Sequence, residues 1–438
     1  MKRLTFIGLV LAVSAGFARA QSAPIRLTLD EAVARGIEAS HRLAEIGARE
    51  EAARAVAAGR DAAAKPQIGL LGGYTRTNHV SEFGVTLPNG QLDVIYPDVP
   101  DNYRSRLDLQ WPIYTAGRIE ALGNAARAEA EAIGQDGAAA GADLRLEITR
   151  AYWAVLTARE TVRVVAESLA QMGAHLADVQ NRLKIGLVPP NDVLSVEAQY
   201  SRQQLLQIEA RNGLETASAD FRRLVGLPAD TSFDLADRLE ALAPGSPDVG
   251  TLIDAARHGR AERQAIERRV AAAVARGVAA AAGDRPLIAL AGGYDYARPN
   301  PRIFPRAAQW NGSWDVGVNL SWSLWDGGRV RADVAEADAN RRAVEQRLQE
   351  FDSVLDVEVR QRVLDLSSAT AAIGVASDAV KSAAEARRVV TERFSAGVAT
   401  NTDVLDAQVA LLQAELDRTR ALASARLAAA RLDRALGR

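Results

Sequence analysis

Gly117-Arg118 is followed 69 residues later by Gly186, and Gly328-Arg329 is followed 69 residues later by Gly397. Both intervals are Ala-rich and free of proline, and neither copy has gained or lost a residue. A long rigid helix imposes that constraint. The copies extend further: Pro66–Tyr74 answers Pro286–Tyr294 with six of nine positions identical at an offset of 220. Leu109, Trp111, Gly117 and Arg118 answer Leu320, Trp322, Gly328 and Arg329, and Asp192-Val193-Leu194 answers Asp403-Val404-Leu405, all at an offset of 211. The nine-residue difference falls between Tyr74 and Trp111, where a surface loop shortens freely. Two repeats of about 200 residues exclude a short-period solenoid and indicate a duplicated module. The expected organisation is a first repeat over 21–227, a linker over 228–250 and a second repeat over 251–438.

The first twenty residues read as a secretory signal: Lys2-Arg3, an apolar stretch from Leu4 to Val13, and the small-x-small cleavage pattern Ala18-Arg19-Ala20. Cleavage removes three of the 53 basic residues and none of the 55 acidic ones, so the mature chain is mildly acidic and nothing points to nucleic acid. The chain has no cysteine, which excludes disulfides, a thiol nucleophile and Cys-ligated metal. After the signal no run approaches the roughly 20 apolar residues of a membrane-spanning helix.

Thr28 with Glu31 three positions on marks a helix start with a capping box, and this helix is expected to run over 28–64, stopped by Lys65-Pro66. A matching helix is expected over 251–282. The long helices are expected over 118–184 and 329–395, each about 100 Å at 1.5 Å per residue. Gly186 and Gly397 fall where left-handed C-terminal caps belong, and Asp192 and Asp403 then lie in the first turn of the helices over 190–226 and 401–437. Leu194, Ala198, Ser201, Leu205, Ile208 and Asn212 step by 4, 3, 4, 3, 4, as do their counterparts Leu405, Val409, Leu412, Leu416, Thr419 and Ala423. This heptad seam predicts that each shorter helix returns antiparallel along its long partner. Two shorter helices stacked end to end match one long helix, so the chain supplies four rods without a compact core, stabilised as much by neighbouring subunits as by itself.

Four segments alternate with period two. In 313–325, Trp314, Val316, Val318, Leu320, Trp322 and Leu324 share one face, opposite Asp315, Asn319 and Ser321; in 103–114, Tyr103, Leu107, Leu109, Trp111 and Ile113 face away from Arg104, Arg106, Asp108 and Gln110. Segments 66–76 and 286–297 repeat the pattern more weakly. Each is about the length needed to cross a bilayer at a barrel's tilt, with aromatics gathered at the ends as an interfacial girdle requires. Alternation alone fits a soluble sheet with one wet face equally well; the secretion signal and the placement of five of the six tryptophans favour the membrane. Four strands cannot close a barrel, and open edges are forbidden in lipid, so the strands must be pooled between subunits, giving eight, twelve or sixteen.

With the doubled strand pair, the 69-residue helical runs and the tips 185–194 and 394–405, the chain resembles the TolC-like outer membrane efflux proteins over nearly all of its mature length. The resemblance implies a mainly α chain with a β-barrel segment: a homotrimer with a shared twelve-stranded barrel in outer membrane lipid and a long α-helical coiled-coil barrel crossing the periplasm. It implies docking to a periplasmic adaptor protein linked to an inner-membrane pump. Gly186, Leu187, Gly397 and Val398 match the turns that adaptor tips engage. Asp403 and Asp406 match acidic residues that form a gating ring at the narrow periplasmic end, and Asp192 matches a first-turn aspartate on the partner hairpin. Such a ring concentrates negative charge and attracts cations. Where a closing latch wants an arginine and a tyrosine hydroxyl this chain has Ala399 and Phe394, so its latch must use other groups, such as Arg393 or Arg182. The lipid-anchored N-terminal Cys of many relatives is missing.

The bland reading of Asp192, Asp403 and Asp406 is that of helix-start residues favoured by the dipole, and Gly186 and Gly397 serve first as caps. Tyr103, Trp111, Trp314, Trp322 and Trp325 are read as membrane-interface aromatics rather than core. His41, His79, His175 and His258 are scattered without i, i+4 pairing, so no metal site and no cofactor are expected. There is no phosphate-binding loop, nucleophile elbow or HExxH, and no enzyme is expected. The leading reading is a passive exit duct of a tripartite efflux or type I secretion system; the alternative is a soluble periplasmic adaptor with α-helical hairpins.

Overall fold

The computed structural model describes residues 24–241 and 248–438. The signal expected over 1–20 and part of the expected linker, 242–247, lie outside the described residues. In chain order the elements are β1 (Ile25–Leu27), α1 (Leu29–Glu38), α2 (His41–Ala62), β2 (Gln67–Arg76), β3 (Phe83–Thr86), β4 (Leu92–Tyr96), β5 (Asp101–Tyr114), α3 (Arg118–Lys184) and α4 (Pro190–Leu224). Then follow β6 (Phe233–Leu235), α5 (Val249–Gly259), α6 (Ala261–Ala281), a 3-10 turn at Ala282–Asp284, β7 (Leu287–Arg298), β8 (Asn311–Ser321), α7 (Arg329–Ser395) and α8 (Asn401–Ala435). The fold is mainly helical with one substantial sheet.

The two long helices, α3 and α7, are each 67 residues without a break. Gly117, Gly186, Gly328 and Gly397, the four glycines that bracket them, all have positive φ, between 77° and 92°. A Cβ would strain each of these turns, which is why the repeat spacing is written in glycine. The helix expected over 28–64 is instead two helices, because the Ser40 hydroxyl accepts from the Leu43 amide and starts a new helix at His41. The helix expected over 251–282 divides likewise at Arg260, which holds an extended backbone between α5 and α6.

Packing divides the chain into two compact units, each drawing on both repeats: residues up to Ala39 with Ile148–Glu240 and Ala376–Ala423, and Ser40–Glu147 with Ala241–Val375 and Ser424–Arg438. In the first unit Tyr152 is fully buried, edge-on to Phe221, and Phe221 meets Phe233 with ring centroids 5.0 Å apart. The Tyr152 hydroxyl donates to Asp237 Oδ2 at 2.6 Å, and β1 pairs in parallel with β6 beside it. The segment expected to be a linker therefore supplies a strand, a core aromatic and the acceptor for the buried Tyr152 hydroxyl. The heptad seam expected on α4 is corrected: Leu194, Leu205 and Ile208 are exposed, and a neighbouring apolar row through Val193 and Val196 packs with Met172 and Val179. Adjacent rows differ by about 100° of helix rotation, and periodicity does not say which of two apolar rows meets the partner. On α8 the seam turns inward at Leu412 and Thr419.

In the second unit Ile253 of α5, Leu355 and Val359 of α7, and Leu432 and Leu436 beside them form one core cluster. Next to it, Arg260 and Arg434 are both buried and share Glu262; Arg434 also bonds Asp143, and Arg260 also bonds Glu358. Contrary to the expected absence of a long apolar run, α7 contains an 18-residue window with mean hydropathy 1.3, only 6% of it buried. Leu364 and Val375 within it, and Val354 and Val357 before it, are uncovered in the single chain.

Candidate functional site

The sheet runs β2-β5-β7-β8, antiparallel at every step. Register stacks one parity of residue across all four strands: Ile68, Leu109, Gly292 and Val316 lie side by side, as do Tyr74 and Tyr103, and Tyr294 and Trp314. This face is solvent-bare in the single chain, with Ile68 and Trp314 each 71% exposed and Leu70, Val316, Val318 and Leu320 similar. β2 and β8 each pair on one side only, leaving two open edges.

The expected strand over 313–325 ends early, at Ser321. Leu287 is the first residue of β7 and pairs with Ser321, so no ladder partner remains for Trp322, Leu324 or Trp325. Trp322 instead donates its indole N–H to the Asp284 carbonyl at 2.9 Å, and Trp111 donates to the Ala64 carbonyl at 3.2 Å. The two tryptophans occupy matching places in the two repeats, each closing an orphan carbonyl just past a helix end. Trp325 is 89% exposed. At the other end of the strands Tyr103 packs between Tyr74 and Trp310, and Trp310 stacks on Tyr296 at 5.1 Å. Eight residues separate Tyr103 from Trp111, about 27 Å along the strand, so an aromatic row closes the apolar face at each end. Sequence reasoning missed Trp310 and the β3–β4 hairpin, whose residues lack the long alternation of the other strands.

The opposite face is polar and cross-linked. Arg106 Nε bonds Asp108, its Nη1 bonds Asp295 and Asp315, and its Nη2 bonds Asp315 at 3.1 Å, while Arg104 also bonds Asp295. The guanidinium of Arg106 lies over Gly293, and a methyl group there would overlap it.

In the first unit the turns α3–α4 and α7–α8 form two exposed tips. Each ends in the same pair of bonds: Gly186 N to Leu183 O with Leu187 N to Arg182 O, and Gly397 N to Phe394 O with Val398 N to Arg393 O. These are Schellman closures, with the glycine in the left-handed position. Leu187 and Val398 are exposed at the tips. Their helix starts differ. Pro189 opens α4 without a side-chain cap, whereas Asp403 Oδ2 accepts from both the amide and the hydroxyl of Thr400 at 2.8 Å, and the Asp403 amide donates to Thr400 Oγ1 at 3.2 Å. The Thr400 amide, then its hydroxyl, holds the Asp403 carboxyl below the usual range. Asp406 is exposed and Asp192 half-buried, and neither carboxylate meets Asp403.

The tips are tied together by residues the sequence did not single out. His175 Nε2 bonds Asn401 Oδ1, and Asn401 Nδ2 donates to the backbone oxygen of Asp192 at 3.2 Å. Phe394 is buried beside them, edge-on to His175, with the Arg182 guanidinium 4.8 Å above its ring. Of the two arginines expected near a latch, Arg182 reaches across to Phe394 and Arg393 stays within its own turn, toward Val398 O. No group of His, Cys, Asp or Glu suited to hold a metal occurs among the described residues.

A family described as "Outer membrane efflux protein" matches residues 34–227 and 252–438. Among curated proteins, outer membrane protein TolC of Vibrio cholerae serotype O1 is 25% identical over 444 residues, covering 100% of this chain and 96% of its own length. The cobalt-zinc-cadmium resistance protein CzcC of Cupriavidus metallidurans is 25% identical over 398 residues, covering 89% of this chain and 90% of its own. Among solved structures, outer membrane protein VceC of Vibrio cholerae superposes with a TM-score of 0.79 at 21% identity, covering 93% of this chain and 96% of that one.

Proposed function

The chain belongs to the outer membrane efflux protein family, and from that premise we propose that it is the passive exit duct of a tripartite efflux or secretion system, assembled as a homotrimer and opened at its periplasmic tips by an adaptor protein coupled to an inner-membrane pump. The soluble-adaptor alternative is set aside by the family match. The observation that carries the reading is the four-stranded sheet with one bare apolar face and two open edges. Such a sheet is stable in lipid only if β8 of one copy pairs with β2 of the next, and three copies close twelve strands. Tyr103, Trp111, Trp314, Trp322 and Trp325 then sit at the two membrane interfaces, where an apolar body with a polar handle is favoured. The uncovered residues on α4 and α7 are covered by neighbouring copies.

At the tips, Leu187 and Val398, held out by the Gly186 and Gly397 closures, are the surface the adaptor meets. The His175–Asn401–Asp192 tie and the Arg182–Phe394 stack keep the two hairpins of one copy together, and opening shifts them apart. Asp406, with Asp403 and Asp192 behind it, supplies the negative charge of the constriction. The duct performs no chemistry. Relatives of similar identity, 25% and 26%, are named for cobalt-zinc-cadmium resistance and for alkaline protease secretion, so the walls of such a duct are generic and the pump chooses the cargo.

The test is conductance in planar bilayers. Purified protein is expected to form channels whose block by multivalent cations weakens, and whose conductance rises, on joint Asp403→Ala and Asp406→Ala substitution. A wild-type protein recovered as a soluble periplasmic monomer would overturn the duct; unchanged block and conductance in the variant would overturn the gate.

A further inference from the structure

The loop joining β7 to β8 borders an open cavity of about 360 Å³ beside the polar face of the sheet. Gly72 and Gly73 of β2 leave its floor bare, Leu71, Pro299 and Pro301 give it apolar walls, and Arg104, Arg106 and Arg306 reach into it. No lining residue carries a carboxylate.

The three guanidinium groups differ in how far their five N–H donors are used. Arg106 commits four of its five donors to Asp108, Asp295 and Asp315. Arg104 spends Nε and Nη2 on Asp295 and leaves Nη1 free, with its side chain 56% exposed. Arg306 donates Nη1 to the Tyr96 hydroxyl at 2.6 Å and Nη2 to Asn102 Oδ1 at 2.7 Å, both neutral partners. The nearby carboxylates are already engaged, Asp108, Asp295 and Asp315 by Arg106, and Asp101 by Arg76 and Tyr74. Arg306 is thus a half-buried cation without a counter-ion among the described residues, a placement that favours an incoming anion. It is also held still: its amide donates to Ile95 O at 3.2 Å and its guanidinium lies 5.0 Å from the Tyr96 ring.

We propose that this cavity binds a small amphipathic organic anion, with a carboxylate, sulfonate or phosphate group between Arg306 and Arg104 and an apolar body against Leu71, Pro299 and Pro301. Its place at the outer mouth of the duct rests on the function proposed above; the binding itself does not. The anion comes either from the exported stream or from the external medium, and both present the same chemistry.

The experiment is isothermal titration of the purified mature protein in detergent with 2-naphthalenesulfonate, its neutral counterpart 2-naphthamide, and inorganic phosphate. The sulfonate is expected to bind, the other two at least about tenfold more weakly, and Arg306→Gln is expected to weaken the sulfonate by about tenfold, the loss of a charge-assisted hydrogen bond. Gly73→Val, which fills the floor and leaves the arginines in place, is expected to abolish binding. Absence of sulfonate binding, equal binding of 2-naphthamide, or unchanged affinity in folded Arg306→Gln and Gly73→Val would each overturn the site. In bilayers, sulfonate block from the outer side alone assigns the external source, and block from the periplasmic side also assigns the exported stream. Binding without any channel conductance would fell the duct and leave the site standing.

Discussion

His175 Nε2 lies 2.8 Å from Asn401 Oδ1, joining two buried side chains 226 positions apart. Because Asn401 also donates to the Asp192 backbone oxygen, one amide serves both hairpins, and its Oδ1 fixes His175 as the Nε2–H donor. Asn401→Ala leaves the buried His175 Nε2–H without a partner and removes the donor that ties Asn401 to Asp192, a cost of about 1–3 kcal/mol for the group left unsatisfied. The expected outcome is a lower thermal midpoint together with a larger open fraction in bilayer recordings. A lower midpoint with unchanged gating would make the tie purely structural.

Asp403 caps α8 through Thr400, so its charge does two things at once. Its folded carboxyl titrates below the ordinary value of 3.8. The stabilisation is therefore complete above that value and is lost as pH falls through the lower folded value. Hydrogen exchange at the start of α8 is expected to stay flat from neutral pH down to about 4, after correction for intrinsic rates, and to accelerate only below it. Asp406→Asn, which touches no cap, is expected to weaken multivalent-cation block without changing that exchange. If exchange at α8 responds to Asp406→Asn, the division of roles between the two aspartates is wrong.

Burial pushes the Glu262 carboxyl up, but its bond to Arg434 and the charge of Arg260 outweigh this and hold it below its usual range. Its contribution is present above the ordinary 4.5 and disappears as pH falls through the depressed folded value. Glu262→Gln leaves two buried arginines under-compensated, and a loss of about 3 kcal/mol is expected in denaturant unfolding. Glu45→Gln, whose partner is the exposed Arg49, is expected to cost under about 1 kcal/mol.

Gly293 is small because Arg106 crosses it to reach Asp315. Gly293→Ala displaces that guanidinium from Asp108 and Asp315 and leaves Asp295 to Arg104 alone, and a loss of about 1–3 kcal/mol is expected from the overpacking alone. Gly69, on the same polar face and open around its Cβ position, is the control: Gly69→Ala is expected to leave unfolding stability unchanged within about 0.5 kcal/mol.

What the sequence made legible was whatever repeats with a period. The 69-residue intervals mark glycines that the structure holds at positive φ, and period-two alternation gives the apolar face of the sheet in all four strands. Both are local signals. The breaks at Ser40 and Arg260 were hidden because a single cap or a single extended residue interrupts a helix without disturbing its apolar pattern. The choice between neighbouring rows on α4 depends on where α3 presents Met172 and Val179. The contacts that join distant segments, Tyr152 with Asp237, His175 with Asn401, and Arg306 with Tyr96, carry no periodicity at all.

The equal lengths of α3 and α7 give the last prediction. Gly141 sits inside α3 with open space where a Cβ would go. Gly141→Ala is therefore expected to be neutral or to stabilise by about 0.5–1 kcal/mol, the helix-interior preference for alanine. Deleting Gly141 is expected to do the opposite, because it turns every residue after it by about 100° relative to those before it. The buried positions Ala121, Ala125 and Ala132 then no longer share their present phase with the buried Leu144 of the same unit, and one set must leave its packing. Light scattering of the purified assembly and export from cells are expected to fail together in the deletion and to survive in the substitution. A deletion variant that assembles and exports normally would show that the matched 69-residue spacing is inherited from the duplication without being required by the fold.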